Sequence, residues 1–216
     1  MREYSAEVCR ESGSRLLLVE GRNDCHVVMA LANARGLERR FGIYECGNKG
    51  LVLSRLNALV ISAQKLEILG AVLDANAVGA ARCWQSVRQK LGRYSYKFEE
   101  GPEIGGSIVS GERGEPRLGI WIMPDNENPG NLEGFCLSLL SEAESAAAQE
   151  AVDLGVARGV ATFKPSQRSK AIVHTFLAWQ DEPGRPLGQS ITGGRLAGSA
   201  EMAGLFVSWL ERLFWP

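Results

Sequence analysis

Residues 15–19 contain the unbroken apolar run Leu16-Leu17-Leu18-Val19, closed by Glu20 and Gly21. A short apolar run with no polar alternation, bounded by a turn signal, predicts a strand covered on both faces, as in a parallel sheet flanked by helices. From about residue 24 the pattern changes to helical spacing, with Val27, Val28, Leu31 and Ala34 on one face and Gly36 as the stop. Residues 41–46 predict a second strand. The turn Gly47-Asn48-Lys49-Gly50 then leads into a helix carrying Leu53, Leu56, Leu59, Val60 and Ala63. Residues 66–73 predict a third strand, ending in Asp74-Ala75-Asn76. A third helix over 78–91 turns Ala81, Trp84, Val87 and Leu91 inward.

Strand and helix alternate three times, which predicts right-handed crossovers and a parallel sheet. Residues 93–117, rich in Gly, Pro and charge with Ile108-Val109 inside, read as a loop or hairpin excursion. Residues 118–123 predict a fourth strand, followed by Pro124-Asp125-Asn126-Glu127-Asn128-Pro129-Gly130. The rest reads as helical. A helix from about residue 132 carries Leu132, Phe135, Cys136 and Leu139 inward, and an Ala- and Glu-rich segment covers 142–154. A helix over 169–179 and a terminal amphipathic helix with the stripe Phe206, Trp209, Leu210 and Leu213 complete the chain. That stripe reads as core. The expected fold is α/β, a mainly parallel central sheet flanked by helices, with an α/β core over 1–140 and a helical C-terminal extension over 141–216 packed on it.

Composition narrows the function. The chain has 216 residues, 45% of them hydrophobic, with a net charge of -1, so no global basic field attracts a polyanion. Charge is uneven along the chain. Residues 99–133 hold eight acids against two bases, and residues 158–195 hold six bases against two acids. The 5 cysteines have no CxxC and irregular intervals, which argues against a disulfide framework and for a reducing, cytoplasmic setting. With 2 histidines, a His-rich zinc site is not expected. No apolar stretch approaches the ~20 residues of a membrane span, so no membrane partner is expected.

The candidate chemistry lies in acids at strand ends. Open α/β sheets bind ligands outside the carboxyl ends of their strands, and Glu20 and Asp74 would emerge on that one edge. Magnesium prefers a few hard oxygens, with water and phosphate completing its shell. Glu20, Asp24, Asp74, Asp125, Glu127 and Glu133, with Asn76 as a neutral oxygen, are the candidate ligands. Each has a structural alternative. Asp24 and Asp74-Ala75-Asn76 suit helix caps, and Pro124-Asp125-Asn126 suits a turn. Lys49, Lys164, Arg168 and Lys170 are candidate phosphate contacts, against their reading as solvated helix ends. His174 reads as a packed helix residue. The neighbours Cys25 and His26 diverge on a helix and form no dyad. The first turn lacks GxGxxG, which weighs against a dinucleotide binder.

Leu18-Val19-Glu20-Gly21-Arg22-Asn23-Asp24, followed by Val72-Leu73-Asp74-Ala75-Asn76, resembles the TOPRIM domain of topoisomerases, bacterial primases and OLD-family nucleases. Further segments, Gly119 to Asn126, Gly130-Asn131-Leu132-Glu133 and Lys170 to Gly184, resemble a smaller TOPRIM-like family of unknown function whose members are often encoded beside AAA or ABC-type ATPases. The resemblance implies a TOPRIM-like Rossmannoid fold and a magnesium- or manganese-dependent nuclease acting on DNA or RNA, with a possible ATPase partner in phage defence or DNA repair. It implies that Glu20 is a general acid/base or metal ligand, Asp24 the second acid of the glutamate motif, and Asp74 the first acid of an Asp-x-Asp motif. Asn76 stands where that motif has its second aspartate, and Asp125 or Glu133 would supply the missing charge. The alternative is a catalytically degenerate interaction module serving an ATPase.

Overall fold

The structure, a computed structural model, describes residues 6–62 and 66–215. Five strands form one sheet: β1 (Arg15–Val19), β2 (Gly42–Glu45), β3 (Ile68–Asp74), β4 (Ser107–Val109) and β5 (Arg117–Met123), in the order β2-β1-β3-β5-β4. All neighbours are parallel except β4, which runs antiparallel to β5. The helices are α1 (Arg22–Ala34), α2 (Lys49–Val60), α3 (Ala80–Leu91), α4 (Leu132–Leu137), α5 (Glu142–Ala157), α6 (Arg168–Ala178), α7 (Leu187–Thr192) and α8 (Glu201–Phe214). The α/β architecture with a mostly parallel sheet and a helical C-terminal segment is as the sequence predicts.

The uninterrupted strand runs are explained by two separate cores, because successive side chains of a strand point to opposite faces. Leu17, Val19, Val72, Trp121 and Met123 enter one core with α1, α4, α5, α6, α7 and α8. Leu16, Leu18, Leu69, Leu73, Ile120 and Ile122 enter the other, with α2 and α3. The stripe Phe206, Trp209, Leu210 and Leu213 is fully buried in the first core. One face of the sheet, through Ile68, Val72, Trp121 and Met123, therefore shares a core with the C-terminal helices.

Local punctuation follows the sequence signals. Gly36 takes φ 69°, and Leu37 N–H reaches Ala32 O at 2.9 Å, closing α1 with a left-handed cap. The Asn48 side chain accepts from Leu51 N–H at 3.0 Å and starts α2, so Lys49 opens a helix instead of lying in a turn. In α2 the buried positions are Val52, Leu56 and Val60, while Leu53 and Leu59 are partly buried. The expected inward residue Ala63 lies outside the described residues. In α3, Trp84, Val87 and Leu91 turn inward as expected, joined by Ala80 and Cys83, while Ala81 faces solvent.

Two further corrections concern elements that pattern does not reveal. Cys9 and Cys25 form a disulfide, against the expectation of unpaired thiols. A pairing is set by which segments the fold brings together, and irregular intervals do not exclude one. The short helix α7 starts directly after Pro186, where the pattern predicts no separate helix. Among the described residues, no helix is long and apolar enough to cross a membrane.

Candidate functional site

The strand order places a reversal between β1 and β3. The chain leaves β1 through α1 to reach β2 on one side, then crosses through α2 to β3 on the other. Such a switch point opens a crevice at the carboxyl ends of the two strands. Glu20 follows the last residue of β1, and Asp74 is the last residue of β3. The backbone joins them directly: Glu20 Oε1 accepts from Asp74 N–H at 2.8 Å.

Two helix starts bring in more acid. Asp24, in the first turn of α1, accepts from Gly21 N–H at 3.0 Å, so the capping role read from sequence is real. It is 7% exposed. Asp74 Oδ1 accepts from Leu132 N–H at 3.0 Å, at the start of α4, which sets Glu133 beside it. A backbone bridge between Asn76 and Gly130 holds the loop before α4 against the end of β3. Asn131 fixes α4 from the other side, because its Oδ1 accepts from Gly134 N–H at 3.1 Å and from Ser169 Oγ at 3.0 Å. Asn131 is a positioning residue that the sequence reading passed over. Its signal was an N-cap residue directly ahead of an apolar helix.

The result is a cleft of about 280 Å³ lined by Gly21, Arg22, Asn23, Asp24, Asp74, Leu132 and Glu133, with Arg22 also 3.8 Å from Glu45 and Glu20 held at the Asp74 amide beside the cleft. The electrostatics are those of acids crowded together. Burial raises Asp24 well above the usual carboxylate range, and the charges of Asp74 and Glu20 raise it further. Asp74 is pushed up to about 7 by burial, Glu20 and Glu133, with the Leu132 amide and Lys49 pulling the other way. Glu20 is raised by burial, against the Asp74 amide and Lys49. Carboxylates that raise one another in this way favour a shared proton or a cation between them.

Not every candidate converges. Asp125 is spent on its own turn, accepting from Glu127 N–H at 3.0 Å and from Asn128 N–H and Nδ2 at 2.8 Å each. Burial pulls its pKa up, but these bonds hold it below the ordinary value. Asn76 takes φ 55°, is exposed, and its Nδ2 donates to Asp74 O at 3.3 Å. Neither residue lines the cleft, whereas Glu133 does. Among the described residues, no group of three or more His, Cys, Asp or Glu side chains is gathered tightly enough to hold a metal as the side chains stand.

The expected basic contacts are largely occupied. Lys49 Nζ donates to Asp74 O at 2.9 Å, at the edge of the acids. Arg168 pairs with Asp153 at 2.6 Å, and Lys170 lies 3.7 Å from Glu133. Lys164 is exposed ahead of the turn Pro165–Gln167. His174, one turn beyond Lys170, is half-buried; burial and Lys170 lower its pKa while Glu133 opposes them.

Fold and cleft together define an α/β protein with an acidic crevice at the switch point of its sheet. The chain belongs to the family described as "Protein of unknown function (DUF3226)", whose family model matches residues 14–215. No curated protein and no solved structure matches it.

Proposed function

We propose that the crevice is the site of a divalent-metal-dependent phosphodiester hydrolase of TOPRIM-like character, acting on DNA or RNA. The observation that carries this reading is the meeting of Glu20, Asp24, Asp74 and Glu133 at one strand edge, with burial and mutual repulsion raising Glu20, Asp24 and Asp74. The donor set suits magnesium or manganese. It is all carboxylate, with a backbone amide on one oxygen each of Asp24 and Asp74, while Glu20 is held by the amides of Asp74 and Lys49. The spread of these groups suits an ion that keeps much of its water.

Asp24, Asp74 and Glu133 would hold the ion, which when bound supplies a Lewis acid for the phosphoryl oxygen and lowers the pKa of water. Glu20, whose raised pKa makes it a better base than an ordinary carboxylate, takes the proton of the attacking water. The new P–O bond forms as the bond to the leaving oxygen breaks, and solvent returns a proton to that oxygen. Lys49 holds the end of β3 through the Asp74 carbonyl, and Lys170 offers a cation at the rim where a phosphate would enter.

A second reading is supported by Asn76 turning to the Asp74 carbonyl. On that reading the domain is a degenerate module that serves an AAA or ABC-type ATPase. Calorimetry with manganese and a nicking assay on supercoiled DNA and on RNA separate the two. The hydrolase binds divalent ions and cleaves, and Glu20→Gln lowers cleavage at least about 100-fold, in line with loss of general-base catalysis, while the variant keeps its fold. Absence of both metal binding at millimolar concentration and cleavage above the Glu20→Gln background overturns the hydrolase and leaves the module.

A further inference from the structure

The opposite rim of the sheet carries a second feature. An open groove of about 790 Å³ runs past the amino ends of β1 and β2, lined by Arg10, Arg15, Arg39 and Arg40 with the acids Glu11 and Glu67. Both acids are spent within the fold. Glu11 accepts from the Ile43 amide at 3.3 Å and pairs with Arg39. Glu67 pairs with Arg15 at 2.9 Å, and Arg15 also donates to Phe214 O at 3.2 Å. Arg10 and Arg40 are the surplus, and both are exposed. The nearest acid to Arg40 is Glu38, at 3.9 Å and 85% exposed, a contact that solvent screens.

We propose that this groove binds the phosphate backbone of nucleic acid, with Arg10 and Arg40 as the contacts. The inference rests on the nucleic-acid reading of the cleft and adds a second surface for the same polymer. It answers a charge problem. The chain has no global positive field, and Arg168 and Lys170 already face acids. The groove instead offers guanidinium forks, which match phosphate oxygens two at a time. Its frame is stiff: Arg10 bridges to Tyr44 through the backbone, next to the Cys9–Cys25 disulfide, and Arg15 and Arg39 are fixed by ion pairs. Arg10, and Arg40 whose guanidinium stands 6.0 Å from the centre of the Trp215 ring, keep exposed guanidiniums that can turn to a phosphate.

The test is fluorescence anisotropy of labelled duplex DNA, single-stranded DNA and RNA at low salt in EDTA, where no cleavage interferes. Arg10→Glu with Arg40→Glu is compared with the reversal of two exposed arginines elsewhere, Arg113→Glu with Arg158→Glu, which changes net charge equally. The groove variant should bind at least about tenfold more weakly than this control, and for duplex its salt slope should fall by about 2, one counterion term per lost phosphate contact. Arg10→Gln with Arg40→Gln, a milder change, should lie between. Unchanged affinity in variants whose melting matches the wild type overturns the proposal, as does displacement by micromolar pyrophosphate, which would assign the groove to a small phosphate ligand. Groove-dependent binding without cleavage in metal overturns the hydrolase and leaves the groove standing; cleavage with groove-independent binding does the reverse.

Discussion

Asp74 is held in a position that works against its own charge. Its carboxylate is buried, faces Glu20 and Glu133, and has the Leu132 amide and Lys49 as relief, so it titrates at about 7. An unfolded aspartate titrates near 3.9. Between those values the folded chain binds a proton that the unfolded chain has released. Stability contributed by this proton is therefore full below about pH 4, is lost as pH climbs toward 7, and changes no further above it. The expected outcome is that Asp74→Asn, which keeps an oxygen for the Leu132 amide, is more stable than wild type at pH 8 by on the order of 2 kcal/mol. The gain should vanish near pH 4. Urea unfolding at the two pH values checks this, and equal stability at both would show that Asp74 is ionised without penalty. Manganese should stabilise the wild type at pH 8 and do much less for the variant.

At the level of elements, α8 is seated by two glycines. Gly70 of β3 and Gly119 of β5 are direct neighbours in the sheet, and both lie under Leu213. A Cβ at Gly119 would stand 2.4 Å from Leu213 Cδ2, and one at Gly70 would stand 2.7 Å from Leu17 Cδ1 and 3.0 Å from Leu213. Gly119→Ala is expected to cost about 1–3 kcal/mol by overpacking. In Gly119→Ala with Leu213→Ala the two losses should fail to add, because the second change removes the clash. A double-mutant cycle by urea unfolding measures the coupling, and additive losses would place the clash elsewhere. Strand glycines signal a close approach, so this notch was readable in principle. Other elements divide in the same physical way. The strands were legible because burial on both faces leaves unbroken apolar runs, and Glu20, Asp24 and Asp74 were legible because strand ends and helix starts are local in sequence. Asp125 misled because a turn that accepts three bonds from its own neighbours looks, in sequence, like an acid waiting for a ligand. The helix α7 is too short to show a period. The role of Asn131 depends on Ser169, which only the folded chain brings to it.

At the scale of the molecule, the parallel sheet gives the protein two chemically opposite rims, with acids where strands end and arginines where they begin. One covalent link bears on both. The Cys9–Cys25 disulfide closes a loop of 16 residues that contains Arg10 and Glu11 at the groove, all of β1, Glu20 just after it, and Asp24 at the cleft. Both sulfurs are fully buried among α1 and β2 side chains, so the bridge pins the first turn (Ala6–Cys9) to the helix that carries Asp24. A crosslink over a loop of this length stabilises by about 3 kcal/mol on the chain-entropy account. Cys9 and Cys25 are small members of the first core and its other contacts remain, so Cys9→Ala with Cys25→Ala is expected to fold, with guanidinium unfolding showing a loss of at least about that size. Reductant should lower the wild-type midpoint toward that of the variant and leave the variant unmoved. Because the loop spans both rims, the same change should weaken manganese binding at the cleft and nucleic-acid binding at the groove together, whereas Asp74→Asn touches only the first and Arg10→Glu with Arg40→Glu only the second. If the variant matches the wild type in stability and in both affinities, the bridge holds nothing that the cores do not already hold, and the two rims are set by the sheet alone.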